Sequence, residues 1–293
     1  MRDLTYAPVA GMPWHYAVSD GIEIETPDLE AWGGSPVSAG AVSVRHVRGS
    51  ADVVGARPVM SMPPWSTYYM DPDGGLQVLF HPIAERGQGP QLLSTVRDGH
   101  EYEVRYEGST TGPVRQRDKE LALITMVLGA RRSGFLVHAC GFVAPVGRAV
   151  LCPAPSGTGK STLARLLLRA APEVQLLNDD RVIVTLANGH LHAWGSPWPG
   201  QGGIACAADA PVGVLCFIAR TETPRVRRVT PREALGRLWK TVALPLWSAA
   251  ETDAALAIME ALVTRIPVVE VAYPVTESAG RWILDVVGDL TSD

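Results

Sequence analysis

The chain has 293 residues, 46% of them hydrophobic and 19% charged, and a formal net charge of −4. That length supports two domains, or one large one, with a real apolar core. The near-neutral balance gives no electrostatic basis for nucleic acid or an anionic membrane as the main partner, and no apolar run approaches the roughly 20 residues needed to span a bilayer.

Residues 1–14 lack the continuous apolar core of a secretion signal. The four cysteines, Cys140, Cys152, Cys206 and Cys216, show no C-x-x-C spacing and lie in or beside apolar runs. They read as buried free thiols of a reducing, cytoplasmic environment. The eight tryptophans are scattered and read as packing groups rather than a stacking platform.

Along the chain, residues 42–47, 76–81, 91–96 and 102–106 read as short extended segments. The D-P-D-G-G run at 71–75 is turn chemistry, and Asp98-Gly99 between two extended runs is a hairpin signal. A mainly β N-terminal domain over residues 1–108 follows. At 107–114 the composition shifts to Gly, Ser, Thr and Pro, and a domain boundary is placed there, with a catalytic domain over 109–293. Leu121, Ile124 and Leu128 then recur at helical spacing, flanked by charges at 115–120 and at Arg131 and Arg132.

Next come apolar strands at 135–137 and 149–152, a helix at 162–168, and strands at 174–177 and 181–186, the last reaching an Asn188-Gly189 turn. Helices are predicted at 231–242, 249–265 and 277–287, with a strand at 268–272. Strands alternating with helices predict an α/β domain with a largely parallel or mixed sheet, its ligands at the carboxyl ends of strands. The basic run Arg225, Arg227, Arg228 reads as a solvated loop, kept open as a phosphate or substrate contact.

The most informative stretch is Ala154-Pro155-Ser156-Gly157-Thr158-Gly159-Lys160-Ser161, followed by Thr162. Between a strand and a helix it has the form of a phosphate-binding loop. Gly157 and Gly159 let backbone N–H groups turn inward around an anion, and the helix N-terminus adds partial positive charge there. Lys160 reaches for β- and γ-phosphates, and the Ser161 hydroxyl is a magnesium ligand. Ala154 stands where the usual pattern has its first glycine, which is tolerated if its φ is negative.

Asp179 and Asp180 end the strand after the loop helix, where a magnesium-binding carboxylate belongs. Adjacent side chains at a strand end point in different directions, so one acid can hold the metal while the other takes a proton. The competing reading is a solvated turn or cap. His138, at the end of an apolar strand beside small residues, is by itself more often structural.

The order strand-His138, phosphate loop, strand-Asp179-Asp180, in "LVHACGFVAPVGRAVLCPAPSGTGKSTLARLLL…LLNDDRVIV", resembles the catalytic domain of the bacterial HPr kinase/phosphorylase family, especially its divergent HPr kinase-related members. The likeness covers residues 119–184 well and 194–218 loosely. It implies an α/β P-loop fold of the HPr kinase C-terminal and PEP carboxykinase-like type, with ATP and Mg2+ as cofactors. It implicates His138, Lys160, Asp179 and Asp180 as catalytic, Ala154 to Thr162 as nucleotide-binding, and Ser161 and Asp179 as metal ligands.

Departures from the family pattern are Ala139 after the histidine, Lys-Ser-Thr at 160–162, and the S-P-W-P-G-Q-G-G segment at 196–203. The N-terminal region also differs from that of the regulators, and with the 196–203 segment it is expected to form or cover the acceptor site. These make HPr itself a doubtful acceptor and turn attention to relatives such as lasso-peptide kinases, which phosphorylate a precursor serine. The expected activity is ATP- and magnesium-dependent transfer of a γ-phosphoryl group to a serine-like hydroxyl of a peptide or protein. Asp180 is the base, an exchange of roles between the two aspartates being left open, and His138 orients the acceptor or a phosphate oxygen. A small-molecule or free amino-acid kinase, and a non-catalytic nucleotide-binding regulator, are the alternatives. A homo-oligomer is left open.

Overall fold

The computed structural model of the chain describes residues 2–19, 24–25, 41–82, 89–97, 99–107, 114–115 and 117–292. They form a mixed α/β protein dominated by strands, in two compact units: residues 1–132 with 245–252, and residues 133–244 with 253–293.

The first unit runs β1 (Arg2–Val9), β2 (Met12–Val18), β3 (Ile24–Glu25), β4 (Val42–Arg48), β5 (Arg57–Met62), β6 (Ser66–Met70), β7 (Leu76–Phe80), β8 (Gln91–Arg97), β9 (Glu101–Tyr106), β10 (Val114–Arg115) and α1 (Arg117–Ala130). Its 8-stranded sheet has the order β1-β2-β4-β9-β8-β7-β6-β5. β2, β4 and β9 pair in parallel and the other neighbours are antiparallel. Alternation builds the strands: in β4, Val42, Val44 and His46 are buried while Ser43 and Arg45 turn outward. The 71–75 turn is held by Asp71 Oδ1, which accepts from the Asp73 and Gly75 amides at 3.0 and 2.7 Å. Asp98 of the predicted hairpin, and 108–113 of the predicted linker, lie outside the described residues.

The sequence reading finds β4, β7, β8 and β9 but not β1, β2, β5 or β6. β5 shows why: it is an edge strand with no buried residue, so its sequence carries no inward-facing period. The domain boundary also differs from the 108/109 expectation, since α1 belongs to the β-rich unit by contacts. Polar contacts fasten it there. Tyr16 Oη donates to Glu120 at 2.8 Å, Lys119 Nζ sits 5.9 Å from the Tyr106 ring centroid, and Arg131 Nε donates to Gly99 O at 2.8 Å.

A stack of Trp14, Tyr16, His46 and Tyr106 crosses β2, β4 and β9, with His46 Nδ1 2.7 Å from Tyr106 Oη. Burial pushes Glu120 up to about 7 and, with Lys119 adding to it, pushes His46 down to about 3. The two act oppositely on stability. Glu120, raised in the folded state, loses stability as pH climbs from its unfolded value of roughly 4.3 to about 7; His46, depressed, loses it as pH falls below roughly 6.5. In wild type the two nearly cancel between about pH 5 and 6, so Glu120→Gln is expected to unmask the His46 limb: first-unit stability rises with pH over that range in the variant and stays flat in wild type. Urea denaturation at stepped pH measures it, and an unchanged slope above pH 5 refutes it.

The second unit runs β11 (Gly134–Val143), β12 (Ala149–Pro153), α2 (Lys160–Ala170), β13 (Leu176–Asn178), β14 (Arg181–Ala187), β15 (His190–Gly195), β16 (Asp209–Arg220), β17 (Arg225–Arg228), α3 (Pro231–Leu238), β18 (Val242–Ala243), α4 (Ala249–Arg265), β19 (Val268–Tyr273) and α5 (Ala279–Ser292). The sheet order is β12-β11-β14-β15-β16-β19-β17, and β12 also pairs in parallel with β16. The path β12-β11-β14-β15-β16 therefore closes on itself. The sheet is mixed: β16 is parallel to β12 and β19, while β11, β14 and β15 are antiparallel to their neighbours.

Two apolar clusters cover opposite faces of these strands. Phe135, Val137, Leu151, Leu215 and Phe217 pack with α3 and α4 residues such as Leu238, Ile258 and Leu262. Phe142, Val150, Val214 and Ile218 pack with Leu163 and Leu167 of α2 and Ile283 and Val287 of α5. Strands buried on both faces read as continuous apolar runs, which is why β11 and β12 are legible. β16 is buried along most of its length, yet its face switches at a bulge beside Gly213, where Val212 points one way and Val214 the other.

Four expectations are corrected here. Residues 225–228 are a strand, β17, rather than a loop: Arg227 donates to Glu270 Oε1 at 2.8 Å and to Glu233 Oε1 at 2.6 Å. The helix expected at 231–242 ends at Leu238, and Val242 pairs with Val137. Cys140, Cys152 and Cys216 are buried free thiols, but Cys206 is only partly buried. Trp65 and Trp239 are about half exposed rather than packed.

Candidate functional site

Every residue singled out for chemistry lies in the second unit, around the carboxyl ends of β12 and β13. β12 ends at Pro153, the chain turns through 154–159, and α2 begins at Lys160. Gly157 and Gly159 hold φ of 81° and 119°, left-handed values that a side chain resists. Outside glycine only Ala10, Arg132 and Asn188 have positive φ among the described residues, so Ala154 satisfies the condition set for it. Ala154 is buried, and its amide donates to His138 O at 3.2 Å. Ser156 and Gly157 are exposed, and Thr158 N donates to Pro155 O at 3.3 Å. Gly159 caps α2 with no side-chain acceptor, leaving the first-turn N–H groups without a capping side chain.

Lys160 is turned back on the turn. Its Nζ donates to Ala154 O at 2.8 Å and Pro155 O at 3.2 Å, and burial lowers its pKa. Those carbonyls hold the ammonium over the mouth of the turn.

Asp179 and Asp180 diverge, as adjacent strand residues do. Asp179 is fully buried. Its Oδ1 accepts from Gly200 N at 2.8 Å and Ile204 N at 3.4 Å, and its Oδ2 accepts from Gly202 N at 2.7 Å and Ser161 Oγ at 3.2 Å. Asp180 Oδ1 lies 2.8 Å from His138 Nε2, and its Oδ2 is 3.8 Å from Arg181 Nε. His138 thus meets a carboxylate through Nε2.

Sequence reasoning passed over the residues that hold this arrangement. Asn178, fully buried, accepts from the Asp180 and Arg181 amides through Oδ1 at 2.7 and 2.8 Å. Its Nδ2 donates to Ser196 O at 2.8 Å. Ser196 Oγ in turn donates to Arg181 O at 2.8 Å. The 196–203 segment is drawn over the acid pair by these bonds. A Cβ at Gly200 would approach Asp180 Cβ to 2.6 Å, and one at Gly202 would collide with the Asp179 carboxylate, so only glycine brings the two amides this close. The segment S-P-W-P-G-Q-G-G was singled out in the sequence; the hold of its glycine amides on Asp179 was not.

The donor set bears on magnesium. That ion takes oxygen ligands at about 2.0–2.1 Å in near-octahedral geometry and is commonly held by one or two protein groups plus phosphates. Ser161 Oγ and Asp179 Oδ2 stand 3.2 Å apart, close to the spacing of neighbouring ligands in such a shell. The serine hydroxyl has only to give up its bond to Asp179, so the pair fits the ion. Among the described residues no group of three or more His, Cys, Asp or Glu is placed to hold a metal, and no helix is long and apolar enough to cross a membrane.

No protein-family model matches the sequence, and no curated protein matches it. Among solved structures, the Hpr(Ser) kinase/phosphatase from Coxiella burnetii is similar over 53% of this chain and 94% of that chain, at 16% identity and a TM-score of 0.30.

Proposed function

We propose that the chain is an ATP- and magnesium-dependent kinase that transfers a γ-phosphoryl group to a serine-like hydroxyl of a peptide or protein. The observation that carries this reading is the meeting of two sequence-distant motifs: Ser161, next to the phosphate-loop lysine, is hydrogen-bonded to Asp179, and the neighbouring Asp180 is paired with His138. The likeness of residues 119–184 to the HPr kinase/phosphorylase family supports the same chemistry.

In this reading the loop amides and the α2 N-terminus bind the polyphosphate, and Lys160 leaves the Ala154 and Pro155 carbonyls to pair with the β- and γ-phosphate oxygens. Magnesium, held by Ser161 and Asp179, supplies charge neutralisation of the phosphates. Asp180, oriented by His138, accepts the proton of the acceptor hydroxyl. The acceptor oxygen bonds to the γ-phosphorus, the bond to the β-γ bridging oxygen breaks, and ADP leaves with the pair of electrons. His138 here positions the base.

We assign acceptor recognition to the 196–203 segment, which lies on the acid pair, together with the N-terminal unit. Because residues 245–252 belong to that unit, the assignment is best tested by substitution in the full chain.

The deciding experiment incubates wild type and Asp180→Asn with ATP and magnesium against serine-containing peptides and a panel of hydroxylated metabolites, read by intact mass. One phosphate added to a peptide by wild type and lost in the variant supports the reading. A phosphorylated metabolite moves it to a small-molecule kinase. Nucleotide binding without any product points to a regulatory nucleotide-binding protein.

A further inference from the structure

Resting on the kinase reading, we propose that Arg220 is a second phosphate-binding cation of this site, engaging the polyphosphate tail of the nucleotide from the side of the turn opposite the acid pair.

The placement follows from strand register. β16 runs parallel beside β12, with Leu215 opposite Leu151, so the two carboxyl ends reach the same edge of the sheet. β12 stops at Pro153, whereas β16 continues to Arg220 and its last residue comes alongside the glycine turn. A Cβ at Gly159 would stand 3.4 Å from Arg220 Nη2 and 3.7 Å from Nε, so the guanidinium lies within van der Waals reach of the turn, beside the first-turn N–H groups of α2 that no side chain caps.

Its bonding is the second observation. The Arg220 side chain is exposed, and among the described residues it shows no ion pair or side-chain hydrogen bond; only its backbone is paired, with β19. Its register partner in β19 is Tyr273, whose phenol burial holds neutral, rather than a carboxylate. Arg227, which the sequence had singled out, is by contrast tied to Glu233 and Glu270. A planar guanidinium with uncommitted donors beside an anion-binding turn matches the fork geometry of phosphate oxygens.

The test uses the full chain as wild type, Arg220→Ala, Arg220→Lys and Lys160→Ala, titrated by calorimetry with ATP, inorganic tripolyphosphate and adenosine. Arg220→Ala is expected to weaken ATP and tripolyphosphate binding at least about tenfold, the scale of a lost charge-assisted contact, with adenosine unaffected and the melting temperature unchanged. Arg220→Lys recovers part of the loss, because charge remains without the fork. Wild-type affinity in Arg220→Ala, with Lys160→Ala impaired, overturns this inference and leaves the kinase reading standing. If wild type binds neither ATP nor tripolyphosphate, both fall together.

Discussion

Lys160→Ala is expected to lower γ-phosphoryl transfer from ATP by about 10²–10³-fold or more, the scale at which removal of one preorganised charge-stabilising group acts. Phosphoryl transfer asks little covalent chemistry of the protein, so positioning and charge carry the rate. The lysine is the cation best placed for it: it opens α2 and already sits over the turn through its bonds to Ala154 and Pro155. Its loss removes two hydrogen bonds to loop carbonyls but no part of either apolar cluster, so the folded state survives. Initial rates with circular dichroism as the folding control measure the effect. Turnover within threefold of wild type would refute the assignment.

The second large effect is on stability. Asp179→Ala is expected to destabilise the second unit by about 3–5 kcal/mol, because it takes the charged acceptor from the partly buried amide bonds of Gly200, Gly202 and Ile204, at roughly 1.5–3 kcal/mol per hydrogen bond to a charged group. At that cost the melting transition falls by roughly 6–15 °C. Asp179→Asn keeps one acceptor oxygen but turns an NH2 toward a donor, so it lies between wild type and alanine. The 196–203 segment is where the loss begins, and faster amide exchange at Gly200 and Gly202 before global unfolding locates it. A melting temperature for Asp179→Ala within 2 °C of wild type would show that this carboxylate does not hold the segment. Since Asp179 is also the proposed metal ligand, activity alone does not separate its two roles; the melting and exchange measurements do.

Much of the second unit's architecture is legible in the sequence for one physical reason. β11, β12 and β14 are covered on both faces, so they appear as unbroken apolar runs, and the glycine turn between β12 and α2 is written in residues that alone accept its backbone angles. β5, with no buried residue, carries no such run; β16 carries one over 214–219, but its bulge at Gly213 reverses the faces its side chains take. The run at 225–228 looked like a loop because its charges point to solvent, yet backbone pairing with β19 makes it a strand. Pairing of that kind depends on a partner some forty residues away, which no local pattern encodes.

The site divides in the same way. The candidates Lys160, Ser161, Asp179, Asp180 and His138 were each named from residue type and spacing, because phosphate and metal chemistry restricts which side chains serve. Their pairing belongs to the tertiary structure: antiparallel pairing of β11 with β14 sets His138 beside Asp180, and the start of α2 meets the end of β13 to join Ser161 to Asp179. So does the covering of Asp179 by the 196–203 amides, and so does Arg220, an ordinary strand-end arginine until the longer β16 carries it to the glycine turn. The sequence by itself determined which groups the chemistry has available. Which of them touch was decided by strand register and by loop closure over long separations, terms that depend on the whole chain at once.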